Sequence, residues 1–120
     1  MAVSRRTIAV HLTDGAWSEP TATALRLADR LLARGHRVTV FAGDDAAGLA
    51  AGDGPVSDAV TSLLRRGAHG GTLHWVVDAA ASRRLGVAES LVPGVVPGDL
   101  ADLWAFVRDA DVVLSPGRVA

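Results

Sequence analysis

Residues 22–45, "ATALRLADRLLARGHRVTVFAGDD", place a helix directly before a strand. Alanine and leucine recur at helical spacing through the first half, so one face of this helix is predicted to cover a sheet. Gly35 is the residue type expected just past a helix end. Residues 38–41 are apolar and rich in β-branched side chains, which predicts a strand. The stretch as a whole favours an α/β protein.

The same alternation precedes and follows this stretch. Residues 7–12, "TIAVHL", form a predicted first strand that ends at the turn signal "TDG". Ser18 is predicted to cap the helix, and Pro20 is tolerated in its first turn because the early N–H groups lack helical partners. Residues 72–77, "TLHWVV", form the third predicted strand.

The segment between the second and third strands is less regular. Residues 46–55, "AAGLAAGDGP", are rich in glycine and predict a mobile loop that includes one short helical turn around Leu49. Ser57 is predicted to cap the second helix and Gly67 to end it.

The last third contains a short apolar segment, a helix and a closing strand. Residues 89–98, "ESLVPGVVPG", predict a short fourth strand. Its two prolines disfavour a position inside the sheet, because proline has no N–H to donate to a neighbouring strand. Asp99 and Asp102 have the spacing of an N-cap and an acidic N3 residue. The predicted apolar stripe of this helix comprises Leu100, Leu103, Trp104 and Val107. We therefore predict one domain, residues 1–120, with three α/β/α layers and a mostly parallel sheet of about five strands.

The composition excludes several classes of function. A formal net charge of -1 argues against a dedicated nucleic-acid-binding protein. The chain has no cysteine, which excludes disulfides, thiolate metal sites and a cysteine nucleophile. The first apolar run is too short for a signal peptide, and no segment has the roughly 18 apolar residues of a membrane span. We expect a soluble, cytoplasmic protein.

Parallel α/β sheets bind ligands beyond the carboxyl ends of their strands. The candidate ligand-binding residues at those ends are Asp14, Trp17, Asp44, Asp78, Ser82 and Arg83. The three acids suit cation binding or acid/base chemistry, and equally the capping of turns and helices. Arg83 and Arg84 suit an anion or a solvated helix face. Trp17 suits a pocket wall, an oligomer contact or a contact with the following helix.

The recognised signatures of catalytic and cofactor sites are missing. The chain has no GxGxxG, no GxSxG and no lysine for a P-loop. Its four histidines are scattered, so no metal site is expected. Because the cofactor-binding signatures are missing, no cofactor is expected either.

The order and spacing of four segments resemble the DsrE/DsrF-like family of small sulfur-relay proteins, which includes the TusD and YchN-like proteins. The segments are the first strand with its polar turn, residues 22–45, the strand leading into "AAASRRLGV", and the ending "LADLWAFVRDADVVL". The resemblance covers nearly the whole chain. It implies a five-stranded, largely parallel sheet, a homotrimer or homohexamer, and, in relay members, a persulfide-carrying cysteine at the end of the third strand.

That position corresponds to Val77, Asp78 and Ala79 in this chain. A persulfide carrier requires a thiolate, so the relay reaction is excluded while the fold prediction remains. The first hypothesis is a non-catalytic homo-oligomer that binds a small molecule or a partner protein at the strand ends and acts in sulfur or redox metabolism. The alternative is a small enzyme that uses Asp78 or Asp14 as acid/base on an anionic or nucleotide-like substrate. A third, disfavoured alternative is part of a two-domain glycosyltransferase, for which the chain is too short.

Overall fold

A computed structural model describes residues 5–15, 18–69 and 72–116. Its centre is a sheet of five strands in the order β4-β3-β2-β1-β5, and every neighbouring pair is parallel. The strands are β1 (Thr7–Leu12), β2 (Arg37–Ala42), β3 (Thr72–Asp78), β4 (Val95–Gly98) and β5 (Val112–Leu114). The predicted α/β class and the five-stranded parallel sheet are confirmed.

Four α-helices and one 3₁₀ helix connect the described strands. They are α1 (Glu19–Ala33), the 3₁₀ helix (Asp44–Ala50), α2 (Pro55–His69), α3 (Ala79–Arg84) and α4 (Leu100–Asp109). The predicted cap of α1 is confirmed, because the Ser18 Oγ accepts a hydrogen bond from the Thr21 N–H. Gly35 follows α1 with φ +86°, a conformation that suits glycine at a helix end.

The predicted mobile loop after β2 is instead ordered over its first half, and the helical turn predicted near Leu49 belongs to a longer helix. Residues 44–50 form a 3₁₀ helix, of which Ala46, Ala47, Leu49 and Ala50 are buried. The small side chains allow this backbone to pack closely against the sheet and α2. The glycine-rich composition predicts a flexible segment, but burial of its side chains in the folded chain orders it.

Both predicted ends of α2 also differ from the structure. The helix begins at Pro55, and the Gly54 carbonyl accepts the first backbone bond from the Asp58 N–H. Ser57 lies inside the first turn, where its Oγ donates to that carbonyl. Gly67 lies within the helix, and a Cβ there would be 2.8 Å from the Leu73 Cβ. This glycine permits close packing of α2 on β3 rather than ending the helix.

The hydrophobic core lies on one face of the sheet. Alternate side chains of β1, β2 and β3 point to this face and pack beneath α1, α2 and the 3₁₀ helix. Its largest fully buried members are Trp75, Leu12, Leu32, Val10, Val38 and Val40. Two packed helices and the 3₁₀ segment exclude water from this side.

The opposite face is covered less completely, because among the described elements α4 is the helix that crosses it. Asp99 and Asp102 form the predicted capping box at its start. Leu103 and Val107 are partly buried, whereas Leu100 and Trp104 are 69% and 68% exposed. Two of the four residues of the predicted apolar stripe are therefore partly buried within this chain, and the other two are exposed.

Candidate functional site

The three predicted acids follow three adjacent strands. Asp14 comes after β1, Asp44 after β2, and Asp78 ends β3. Because β3, β2 and β1 are neighbours and parallel, these residues lie at the same edge of the sheet. We call this edge, residues 12–15, 42–45 and 78–84, the carboxyl rim.

The segments of the carboxyl rim contact one another. A Cβ on Gly15 would lie 2.8 Å from the Asp45 Cβ, so the loop after β1 abuts the start of the 3₁₀ helix. The Arg84 Nη1 is 3.7 Å from the Asp45 Oδ1, which joins α3 to the same helix. The rim is therefore one continuous surface, formed by parts of the chain that lie far apart in sequence.

Asp44 has an unusual backbone conformation at this surface. Its φ is +47°, and it is the one residue other than glycine with a positive φ in the described part of the chain. Aspartate adopts this left-handed region more readily than most residues. The conformation turns the chain sharply from β2 into the 3₁₀ helix and leaves the side chain exposed.

Asp78 and Ser82 have clear structural roles. The Asp78 Oδ1 accepts hydrogen bonds from the Ala80 and Ala81 N–H groups, at 3.0 and 3.5 Å, and so caps α3. The Ser82 side chain is buried, and its Oγ donates to the Ala79 carbonyl at 2.9 Å. Of the roles predicted for Asp78, helix capping is therefore the one that its contacts within the chain show.

Of the three remaining predicted residues, two are exposed and one lies outside the described residues. Arg83 is exposed and, within the described ranges, has no ion-pair partner. Asp14 is also exposed. Trp17 lies outside the described residues, so the structure does not address its predicted role as a pocket wall.

A small cavity of about 240 Å³ lies beside the carboxyl rim. Gly15, Gly48, Asp53 and Ser57 are among its lining residues, but Asp44, Asp78, Ser82 and Arg83 are not. The predicted binding residues thus share an edge of the sheet without converging on this cavity. Their role in ligand binding stays a prediction.

A larger groove, of about 640 Å³, lies on the α4 face of the sheet. Its lining includes Arg37, His74, Val96, Phe106 and Asp109. The sequence did not predict this groove, because its residues come from distant parts of the chain. The alternation of polar and apolar residues in "TLHWVV" was the available signal, since it places His74 on the face opposite Trp75.

Two further findings concern the described residues only. They contain no group of three histidine, aspartate or glutamate side chains placed to hold a metal ion. They also contain no helix that is both long enough and apolar enough to cross a membrane.

Comparison with solved structures identifies a similar fold. The crystal structure of the YchN protein from E. coli superposes with a TM-score of 0.75, covering 93% of this chain and 99% of that chain at 21% sequence identity. No family model matches the chain. No curated protein matches it either. The similarity shows that this chain shares the fold of the YchN protein, in agreement with the five-stranded α/β fold predicted from the sequence.

Proposed function

We propose that this chain is a non-catalytic, DsrE-like homo-oligomer that binds a small anionic ligand or a partner protein at the carboxyl rim. The observation that carries the proposal is the end of β3. Val77, Asp78 and Ala79 occupy the place where the family resemblance puts a sulfur-carrying cysteine, and the chain has no thiol. Because a persulfide requires a thiolate, recognition rather than sulfur transfer is the function left to this edge.

The contacts at the rim favour binding over acid/base chemistry. The Asp78 carboxylate is engaged in capping α3, and the Ser82 hydroxyl is buried against its own helix. Neither group faces the nearby cavity. Arg83 is the rim cation without a partner among the described ion pairs, so it supports an anion as the ligand rather than a cation.

The exposed apolar side chains support the oligomeric part of the proposal. Leu100 and Trp104 on α4 and Val96 on β4 are all more than half exposed. Leu100 and Trp104 are four residues apart and so neighbour each other on α4, and an exposed apolar patch of this kind is typical of an interface. The cytoplasmic location expected from the sequence and the relation to sulfur or redox metabolism suggested by the resemblance remain part of this proposal.

Ligand binding is testable by thermal unfolding of the purified protein with thiosulfate, sulfite, phosphate and AMP. A ligand present at about 100 times its Kd adds about 2.7 kcal/mol to the free energy of unfolding. For a domain of this size that corresponds to a rise in Tm of roughly 10 °C. We expect at least one of these anions to raise the Tm, and Arg83→Ala to weaken its binding roughly tenfold or more.

Arg34→Ala is the matched control, since Arg34 follows α1 at the opposite edge of the sheet. It should leave the ligand-induced rise in Tm unchanged. An equal loss in both variants would indicate non-specific attraction of anions to arginine. No rise with any of the four anions, or turnover of one of them by the wild-type protein, would contradict the proposal.

A further inference from the structure

A further groove, of about 480 Å³, lies between α1 and α2, and we call it the interhelical groove. Ala22 and Leu25 line it from α1, and Ala59 and Leu63 line it from α2. Leu25 and Leu63 are 4% and 6% exposed, so they form an apolar floor. The two alanine side chains are too short to fill the space between the helices. The hollow that remains has the size that small organic ligands occupy.

Three arginines border the interhelical groove. Arg26 and Arg30 lie on α1, Arg66 lies on α2, and all three are exposed. Asp29 is the one acid among the described lining residues, so the lining has an excess of two positive charges in a chain whose net charge is -1. Arg26 and Arg30 are four residues apart on the same helix, where like charges repel each other. The groove therefore has a positive potential that an anion would relieve.

The ion pairs of the groove leave part of this charge uncompensated. The Arg66 Nε pairs with the Asp29 Oδ1, which joins the two helices and engages the one carboxylate of the lining. The Arg26 Nη2 is 3.8 Å from the Glu19 Oε2, and because these side chains are 64% and 89% exposed, the pair contributes little. Arg30 has no ion-pair partner among the described residues. The guanidinium groups of Arg26 and Arg30 are therefore available to an anion.

From this combination we infer that the interhelical groove binds a small phosphate monoester whose alcohol part is apolar. A guanidinium has five N–H donors in a planar arrangement that matches phosphate oxygens. Arg26 can therefore keep its hydrogen bond to the Thr23 Oγ1 while it contacts the anion beside Arg30. A phosphate monoester carries a charge of about -1.5 to -2 at neutral pH, which balances the excess positive charge better than a carboxylate does. Its apolar part would lie on Leu25 and Leu63.

The interhelical groove is separate from the carboxyl rim. None of its described lining residues lies within residues 12–15, 42–45 or 78–84. The inference therefore goes beyond the proposed function and does not rest on it. Arginine variants distinguish the two sites, because Arg30 belongs to the groove and Arg83 to the rim.

Phenyl phosphate is the probe, and isothermal titration calorimetry of the full chain measures its affinity. It should bind more tightly than inorganic phosphate, which cannot contact the floor, and more tightly than phenol, which lacks the charge. Arg30→Ala should weaken phenyl phosphate binding roughly tenfold or more, because hydrogen bonds between charged groups are lost. Arg65→Ala is the matched control, since Arg65 is exposed on α2 next to Arg66 but does not line the groove. The same change in charge there should leave the affinity unchanged.

The Ala59→Leu variant tests the hollow itself. Ala59 is partly buried on α2, and leucine is a good helix former, so we expect the variant to fold. Because the larger side chain would occupy the hollow, phenyl phosphate should lose its advantage over inorganic phosphate, which should still bind. An advantage of the same size in this variant and in the wild type would overturn the assignment of the ester to the groove.

The remaining outcomes separate this inference from the proposed function. A wild-type protein that does not bind phenyl phosphate overturns the inference. Equal losses in Arg30→Ala and Arg65→Ala also overturn it, because they indicate non-specific attraction to arginine. Binding that is lost in Arg83→Ala but retained in Arg30→Ala overturns the groove and supports the carboxyl rim as the site. Binding that is lost in Arg30→Ala and retained in Arg83→Ala supports the groove, and it leaves the ligand of the rim to its own test.

Discussion

Trp75 is the largest fully buried side chain of the core, and it carries an unsatisfied polar group. The side chain is 1% exposed and packs on the face beneath α1 and α2. Its indole N–H has no hydrogen-bond partner among the described residues. A buried donor without a partner costs about 1–3 kcal/mol, so the indole contributes packing while its nitrogen opposes folding.

Replacing Trp75 separates these two contributions. The Trp75→Phe variant would lose some packing but also remove the unsatisfied donor, so we expect the free energy of unfolding to change by less than about 1 kcal/mol. Trp75→Ala should lower it by about 3–5 kcal/mol, because it leaves a large cavity. Urea denaturation measures both. A loss above about 2 kcal/mol for the phenylalanine variant would reveal a hydrogen-bond partner for the indole, such as a buried water.

The site residues show how far the sequence alone predicts the position and the role of a side chain. The order of the strands was sufficient to place Asp14, Asp44 and Asp78 at one edge, because parallel strands end together. The same sequence left open whether Asp78 caps a helix or faces a ligand. Only the three-dimensional positions of the Ala80 and Ala81 N–H groups assign its oxygen to the cap.

At the scale of elements, α4 combines a reciprocal N-terminal cap with only partial burial against the sheet. None of its residues is buried in this chain, so tertiary packing contributes less to α4 than to α1. The Asp99 Oδ1 accepts a hydrogen bond from the Ala101 N–H at 2.9 Å. The Asp102 Oδ2 accepts in return from the Asp99 N–H at 2.9 Å. This reciprocal box satisfies donors that the first turn would otherwise leave open.

Loss of the cap should therefore be measurable. We expect Asp99→Ala to lower the free energy of unfolding by about 1 kcal/mol, and Asp99→Ser to retain most of the stability because serine also caps. Asp58→Ala, a change of an exposed acid in the first turn of α2, is the comparison variant and should cost less. Equal losses for Asp99→Ala and Asp99→Ser would show that the side-chain acceptor is not what stabilises α4.

The elements differ in how well local sequence predicts them. The start of α1 and the capping box of α4 are each encoded within four residues, so the local sequence was sufficient to predict both. Gly67 and the 3₁₀ helix are decided by contact with β3 and the core, which no local pattern records. The beginning of α2 at Pro55 is local, but the competing cap signal of Ser57 obscured it.

For the whole molecule, the sheet order determines which strands are protected. β2 lies at the centre and has five of its six residues buried, whereas the edge strand β5 has two exposed residues of three. The helices reinforce this gradient, because α1 and α2 both pack on the face beneath the central strands. Local opening is therefore expected to begin at the outer strands, β4 and β5.

Amide hydrogen exchange tests this gradient. The N–H groups of β2 and the buried half of β1 should exchange through opening with nearly the full free energy of unfolding, and those of β5 with much less. Mass spectrometry of peptic peptides resolves these segments. Protection of residues 112–114 equal to that of residues 37–42 would contradict the order of stability inferred from burial.

Chain order and composition were sufficient to predict the α/β alternation, the parallel sheet, the shared edge of the acids and the exclusion of thiol chemistry. Each follows from periodicity, from chain order or from a missing residue type, all of which are properties of the linear chain. The burial of the 3₁₀ helix, the capping role of Asp78 and the groove beside α4 were decided only by the tertiary structure. They depend on which distant segments meet, since α4 lies across strands from the other end of the chain and leaves its Trp104 side uncovered.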